Sequence, residues 1–168
     1  MTISMYSASA PAFERGLDSL RNILEKGAAH AAERKIDPAV LVNARLFPDM
    51  FPLSRQVYVV TDFARGTLAR LAGSEPPKWD DVESTFPDLI ARVERASAAV
   101  KAFKPAQIDG SEDRAITRQL GSHTVNFTGL NFLLVFSLPN FYFHLATAYD
   151  ILRHNGVALR KPDFIGAL

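Results

Sequence analysis

Imidazole is the side chain best suited to chemistry in this 168-residue chain, because there is no cysteine to serve as a nucleophile, a disulfide partner or a thiolate metal ligand. His144 lies between Phe143 and Leu145, inside the most apolar stretch of the sequence. An imidazole in such a setting is either a metal ligand or general base, or a buried histidine satisfied by a backbone carbonyl or a neighbouring amide, and both readings stay open. Asn140 precedes His144 by four residues, which stacks the two on one face of a helix. Asn140 also follows Pro139, where its amide can repair a kinked backbone instead. Gln56 comes four residues before Val60 and seven before Phe63, a spacing that turns it inward, while Asp62 falls nearer the outer face. Tyr142, Tyr149 and the phenylalanines around them line a ligand cavity or belong to the core, and part of them to a dimer face.

The remaining polar residues point to little chemistry. His154 and His30 stand near helix ends, where cations meet the negative end of the dipole. His123 adjoins a turn and is expected to be exposed. Arg118 is within reach of a carboxylate from a β-ribbon, although an exposed basic residue is the default. There is no Gly-rich phosphate loop and no Gly-x-Ser-x-Gly elbow. The net charge is +1 and the basic residues are dispersed among acids, so neither nucleic acid nor an anionic membrane is an expected partner.

Positioning these residues falls to helices. Phe13, Leu17, Leu20, Leu24 and Ala28 recur in steps of three and four, with Pro11 near the start of the helix and Asp37-Pro38 beyond its end. Asp37 to Pro52 reads as an apolar connector carrying Leu46, Phe47, Met50 and Phe51, expected to pack across the bundle as a short helical turn. Leu53, Val57, Val60, Ala64 and Leu71 form the stripe of a second helix, stopped at Gly73. Phe86, Leu89, Val93, Ala96, Val100 and Phe103 mark a third, within Ser84 to Phe103. From Ala115 to Thr128 the period becomes two. Pairing about Gly121-Ser122 sets Ile116 opposite Phe127 and Arg118 opposite Val125, with a type II′ turn. The last helix is expected over Leu130 to Asn155, kinked at Pro139 and stopped by Asn155-Gly156. The tail holding Phe164, Ile165 and Leu168 is expected to dock. One domain, residues 1–168, accommodates all of this. Met1 to Pro11 does not read as a secretory signal, and Ser137, Pro139, Asn140 and His144 break the longest apolar run, so the expectation is a cytoplasmic protein with a buried last helix and no membrane span.

The run Leu138-Pro139-Asn140-Phe141-Tyr142-Phe143-His144, with Thr147-Ala148-Tyr149 and Leu152-Arg153-His154-Asn155-Gly156 after it, resembles an uncharacterised bacterial family within the DinB/YfiT-like superfamily of metalloenzyme-type bundles. Pro48-Asp49-Met50-Phe51-Pro52-Leu53 and Arg70-Leu71-Ala72-Gly73 agree with it. The resemblance implies an all-α, antiparallel four-helix bundle in up-down-down-up order, often dimeric, here with one small β-hairpin before the last helix. It also implies a divalent metal held by three histidines, one from the second helix and two from the last. This chain departs from that pattern: Asn140 stands where a relative carries histidine, and the second helix has no histidine. His144, Asn140 and Gln56 would make a degenerate site that binds zinc or nickel weakly, since amide oxygens serve such metals less well than imidazoles. The functional expectation is a small-molecule-binding or vestigial enzyme-like bundle, its pocket involving Gln56, Asn140, His144 and Tyr142. A structural homodimer without catalysis is the alternative, and a metal-dependent thiol transferase-like enzyme a further one. Sequence leaves open whether the chain is an enzyme.

Overall fold

The computed structural model describes residues 3–166. Among them, four long helices carry the architecture: α1 (Met5–Arg34), α3 (Leu53–Leu71), α4 (Phe86–Ala102) and α6 (Gly129–His154). Short helices α2 (Pro38–Val42), α5 (Pro105–Ile108) and α7 (Lys161–Ile165) cover the ends, and β1 (Ile116–Leu120) pairs with β2 (His123–Phe127) as a hairpin before α6. The contacts between ends fix the direction of each helix. The Tyr6 N–H at the start of α1 donates to Asp109 beyond the end of α4, and Gly27 late in α1 faces Phe86 at the start of α4, so α1 and α4 are antiparallel. Gly27 also faces Leu152, so α1 and α6 finish together. Leu71 at the end of α3 meets Gly129 at the start of α6, making that pair antiparallel. Arg92 in the first half of α4 reaches Thr61 in the first half of α3. The order is therefore up-down-down-up.

Local chemistry explains the boundaries. Ser4 caps α1 by accepting from the Ser7 N–H, so the helix begins ahead of Pro11 and not near it as expected. The carbonyl that Pro11 leaves without a donor is that of Ser7, and both residues face solvent, where water can serve it. Asp37 caps α2 by accepting from the Ala39 N–H, and Thr85 caps α4 through the Asp88 N–H. The connector forms the expected short helical turn as α2, but its second half departs from expectation. Leu41 and Val42 of α2 are buried, but Leu46, Phe47 and Phe51 stay exposed, because the chain between Pro48 and Pro52 follows the surface to reach α3.

The hairpin has the expected register, with Ile116 opposite Phe127 and Arg118 opposite Val125. Gly121 alone in the loop has positive φ, at 60°, which is the signature of a type II′ turn. In α6, a π turn over Phe132–Ser137 precedes Pro139, with the Leu138 N–H reaching back five residues to Leu133. The widened turn lies just upstream of the residue that has no N–H to give.

Every residue of the α3 stripe is fully buried, as are Phe13, Leu17, Leu20 and Leu24 of α1. Phe13 meets Phe141 edge-to-face with ring centroids 5.0 Å apart. Gly16 permits this approach, since a Cβ there would lie 2.5 Å from the Phe141 ring. The tail docks on α1 through Asp163, which accepts from Lys26 at 2.6 Å and Asn22 at 3.3 Å; Leu168 lies outside the described residues. By length and composition α6 is apolar enough to cross a membrane. In the bundle its Phe132, Phe141, Leu145 and Ile151 form part of the core, but only 33% of its most apolar window is buried, so it is not the buried helix expected from sequence.

Candidate functional site between α3 and α6

Two antiparallel helices bring together side chains that repeat in steps of three and four on each. On α3 these are Gln56, Val59, Phe63, Thr67 and Arg70; on α6 they are Phe132, Phe136, Asn140 and His144. Gln56 and His144 meet at one end, Phe63 and Phe136 meet edge-to-face in the middle at 5.6 Å, and Thr67 and Phe132 lie toward the other end.

The Gln56–His144 contact has a defined polarity. The buried Gln56 amide donates from Nε2 to the Phe51 carbonyl at 3.0 Å, which orients Oε1 toward His144 Nδ1 at 2.7 Å. Oε1 can only accept, so Nδ1 carries the hydrogen and Nε2 keeps a lone pair. Burial pushes the His144 pKa below the ordinary histidine value. The ring stacks near Phe63, with centroids 6.5 Å apart, and meets Phe143 edge-on. The result is a neutral imidazole held in one tautomer, able to accept a proton or a hydrogen bond at Nε2.

The other two residues of the sequence-based set stand differently. Asn140 is on the His144 side of α6, and its Nδ2 donates to the Phe136 carbonyl at 2.6 Å, at the end of the π turn. Its amide nitrogen therefore serves its own helix rather than crossing to α3. Tyr142 is exposed on a different face, packed on Phe141 and near Arg15; burial of part of the ring raises its pKa, and the Arg15 charge opposes this. Among the described residues no three histidine, aspartate or glutamate side chains gather as a metal-binding group. Only one of the three imidazoles is present and the Gln56 oxygen is committed to His144, so the residues present do not fit the three-histidine metal site of the superfamily.

A cavity of about 430 Å³ opens beside Phe63, walled by α3, by Phe132 of α6, by Arg118 of the hairpin and by the strap that links α3 to α4, including Pro76, Pro77 and Trp79. Sequence reasoning missed this wall. The strap is pinned by Arg92, whose guanidinium is almost wholly buried and donates to Thr61 at 3.0 Å, the Asp80 carbonyl at 2.9 Å, Glu83 at 3.0 Å and Asp81 at 3.0 Å. Arg65 and Arg95 sit over the Trp79 ring, 4.0 and 3.9 Å from its centroid. Arg65 also pairs with Asp62 at 2.7 Å. Pro76-Pro77 and Trp79-Asp80-Asp81 were the available signal, a stiff aromatic and acidic segment between two helices rich in arginine. Arg118 does turn inward from the hairpin, but it finds no carboxylate among the described residues and instead acts on Arg70 as a like charge.

A family model described as a domain of unknown function (DUF1993) matches residues 5–165, and the chain belongs to that family. No curated protein matches significantly. Among solved structures, the chain is similar to a DinB family member protein from Shewanella denitrificans, with 36% identity and a TM-score of 0.87 over 97% of this chain and 92% of that one. The up-down-down-up bundle with its hairpin is accordingly a DinB-type fold.

Proposed function

We propose that this DUF1993 family member is a small-molecule-binding bundle, with its ligand held in the cavity between α3, α6 and the strap. The observation that carries this reading is the continuous strip along α3, which joins the oriented His144–Gln56 pair to a cavity of about 430 Å³ through Phe63. That volume falls in the range of small-molecule sites, which combine apolar walls with a few fixed polar groups. The ordered Nδ1–H tautomer of His144 supports a vestigial enzyme-like ancestry, because a fixed imidazole is what a metal site or general base requires. A divalent metal, zinc or nickel, enters this reading only as a weakly bound ion. A cytoplasmic location belongs to the same proposal, and cell fractionation checks it.

Trp79 is the sole tryptophan of the chain and lines the cavity, so its fluorescence reports on occupancy. A panel of small aromatic and aliphatic acids, amines and amides should contain compounds that change it saturably, and these should compete with one another. Binders that leave Trp79 silent and map elsewhere by NMR would overturn the assignment.

A second reading has its own observation. The outer face of α6 exposes Leu134, Val135, Tyr142 and Phe143, with Val135 69% and Phe143 58% exposed, and no Asp, Glu, Lys or Arg interrupts Gly129 to Tyr149. An uncharged apolar strip on one helix is self-complementary under two-fold packing, so we propose a homodimer through α6. Light scattering should give twice the chain mass at micromolar concentration, and Val135→Lys should return it to one chain. A parent protein of single-chain mass would dismiss the dimer.

A further inference from the structure

The polar side chains around the cavity identify the class of ligand. Seven buried side-chain nitrogen or oxygen atoms have no hydrogen-bond partner among the described residues, and four of them belong to residues lining this one cavity: Thr67 Oγ1, Arg70 Nε, Trp79 Nε1 and Arg118 Nε. Three of the four are N–H groups that only donate, and the fourth is a hydroxyl that can. Buried donors are ordinarily satisfied, so four orphans on residues that surround one cavity, from α3, the strap and the hairpin, point to a missing acceptor. Thr67 is only 1% exposed, which excludes bulk solvent as its ordinary partner.

The charges agree. Arg65, Arg70, Lys78 and Arg118 line the cavity against the carboxylates Asp62 and Asp81. Both carboxylates are spoken for: Asp62 holds Arg65, and Asp81 holds Arg92 and Arg55. Arg70 pairs with the exposed Glu75 at 3.1 Å through one terminal nitrogen and donates to the Gly66 carbonyl at 3.1 Å through the other, leaving its Nε without a partner among the described residues. Arg118 has no salt-bridge or hydrogen-bond partner among the described residues, and burial, with the Arg118 charge after it, makes the Arg70 cation harder to keep. Two guanidinium groups converging without an acid between them leave a positive hollow. Opposite it, Phe63, Val59 and Phe132 supply apolar surface.

We propose that this cavity binds an organic anion. Its carboxylate or phosphate head is held by Arg118, Arg70, the Thr67 hydroxyl and the Trp79 indole N–H, and its apolar body lies along Phe63 toward His144. The planar guanidinium fork suits both kinds of head. This assignment rests on the small-molecule reading of the same cavity and narrows it to anions.

The test titrates phenylacetate, phenyl phosphate and the neutral phenylacetamide into the full chain at low salt, following Trp79 fluorescence and confirming by calorimetry. Both anions should saturate one site, with the amide about tenfold weaker or worse, as expected when a charge-assisted bond is lost. Arg118→Gln should weaken the anions by about tenfold without changing the amide, and Arg118→Lys should recover part of the loss. Thr67→Val, a change of one polar atom, should weaken the anions with the fold unaltered by circular dichroism. Equal binding of amide and anions, or anion affinity untouched by Arg118→Gln, overturns the anion assignment and leaves the small-molecule reading standing. So does silence from all three probes when neutral compounds of the wider panel still report at Trp79. If those too are silent, both readings fall together.

Discussion

Arg92→Met tests whether the strap is a built wall or a loop that happens to lie there. Methionine keeps most of the length and apolar contact of the arginine stem but removes every donor. In the parent, the guanidinium side chain is 1% exposed and makes four bonds of 2.9–3.0 Å, two of them to carboxylates. Removing one partner of a buried ionic group typically costs about 3–5 kcal/mol. The Asp81 and Glu83 side chains are 31% and 18% exposed, so they can recover water once released, which lowers the expected loss to about 3 kcal/mol. For a chain of this size that loss corresponds to roughly 6–12 °C in Tm. Urea denaturation by circular dichroism gives the free energy. Trp79 fluorescence gives the local consequence, because freeing Asp80, Asp81 and Glu83 should loosen the indole between Arg65 and Arg95 and shift its emission to the red before global unfolding. A loss under about 1 kcal/mol with unchanged emission would show that Arg92 does not hold the cavity wall.

Three further outcomes follow from the same contacts. Gly129→Ala places a Cβ 1.9 Å from the Ser111 carbonyl oxygen, a backbone atom that cannot step aside, so it should cost about 2–3 kcal/mol in urea denaturation; a neutral result would mean the start of α6 is loosely seated. His144 should titrate by NMR with a midpoint below the ordinary value near 6.5, because burial disfavours its cation. Its contribution to stability is then complete above that value and is lost as pH falls through the folded midpoint, a dependence that His144→Gln should remove; a midpoint at or above 6.5 in the folded protein would contradict the burial argument. Calorimetric titration of zinc and nickel into stripped protein should show weak binding or none, since the Gln56 oxygen is committed to His144 and amide oxygens serve such metals less well than imidazoles. Submicromolar affinity abolished by His144→Ala would restore the metal site and move the enzyme reading to first place.

How much of this was legible in the chain depended on whether a residue's neighbours were periodic. Gln56 and His144 sit on helices whose apolar steps are regular, so their facing could be read from spacing alone, although eighty-eight residues separate them. The hairpin register was legible for the same reason, with Gly121 fixing the turn. Asn140 was ambiguous because one side chain can either cross a groove or serve its own helix, and spacing is identical in both cases; its bond to the Phe136 carbonyl shows that it does the second. Tyr142 shared an apolar sequence neighbourhood with His144 but not a face, since two residues along a helix turn the side chain about 200° away.

The strap had no period to read. Its position is set by side chains reaching across from α4, and a buried arginine such as Arg92 looks in sequence like any other basic residue on a helix. The same applies to Arg118: from the alternation of the ribbon it could be assigned a strand and a partner, Val125, but not a direction of reach. What distinguishes the two arginines is satisfaction. Arg92 is surrounded by acceptors and is explained by the strap it holds. Arg118 lines a cavity with Arg70, Trp79 and Thr67, and each of the four keeps a buried polar atom without a partner among the described residues. A fold gains nothing in stability from assembling such a set, because each unmade bond to a buried donor costs free energy that an apolar residue would avoid. Stability accounts for Arg92 and leaves Arg118 unexplained, and the proposed anionic ligand would supply the acceptor that Arg118 lacks among the described residues.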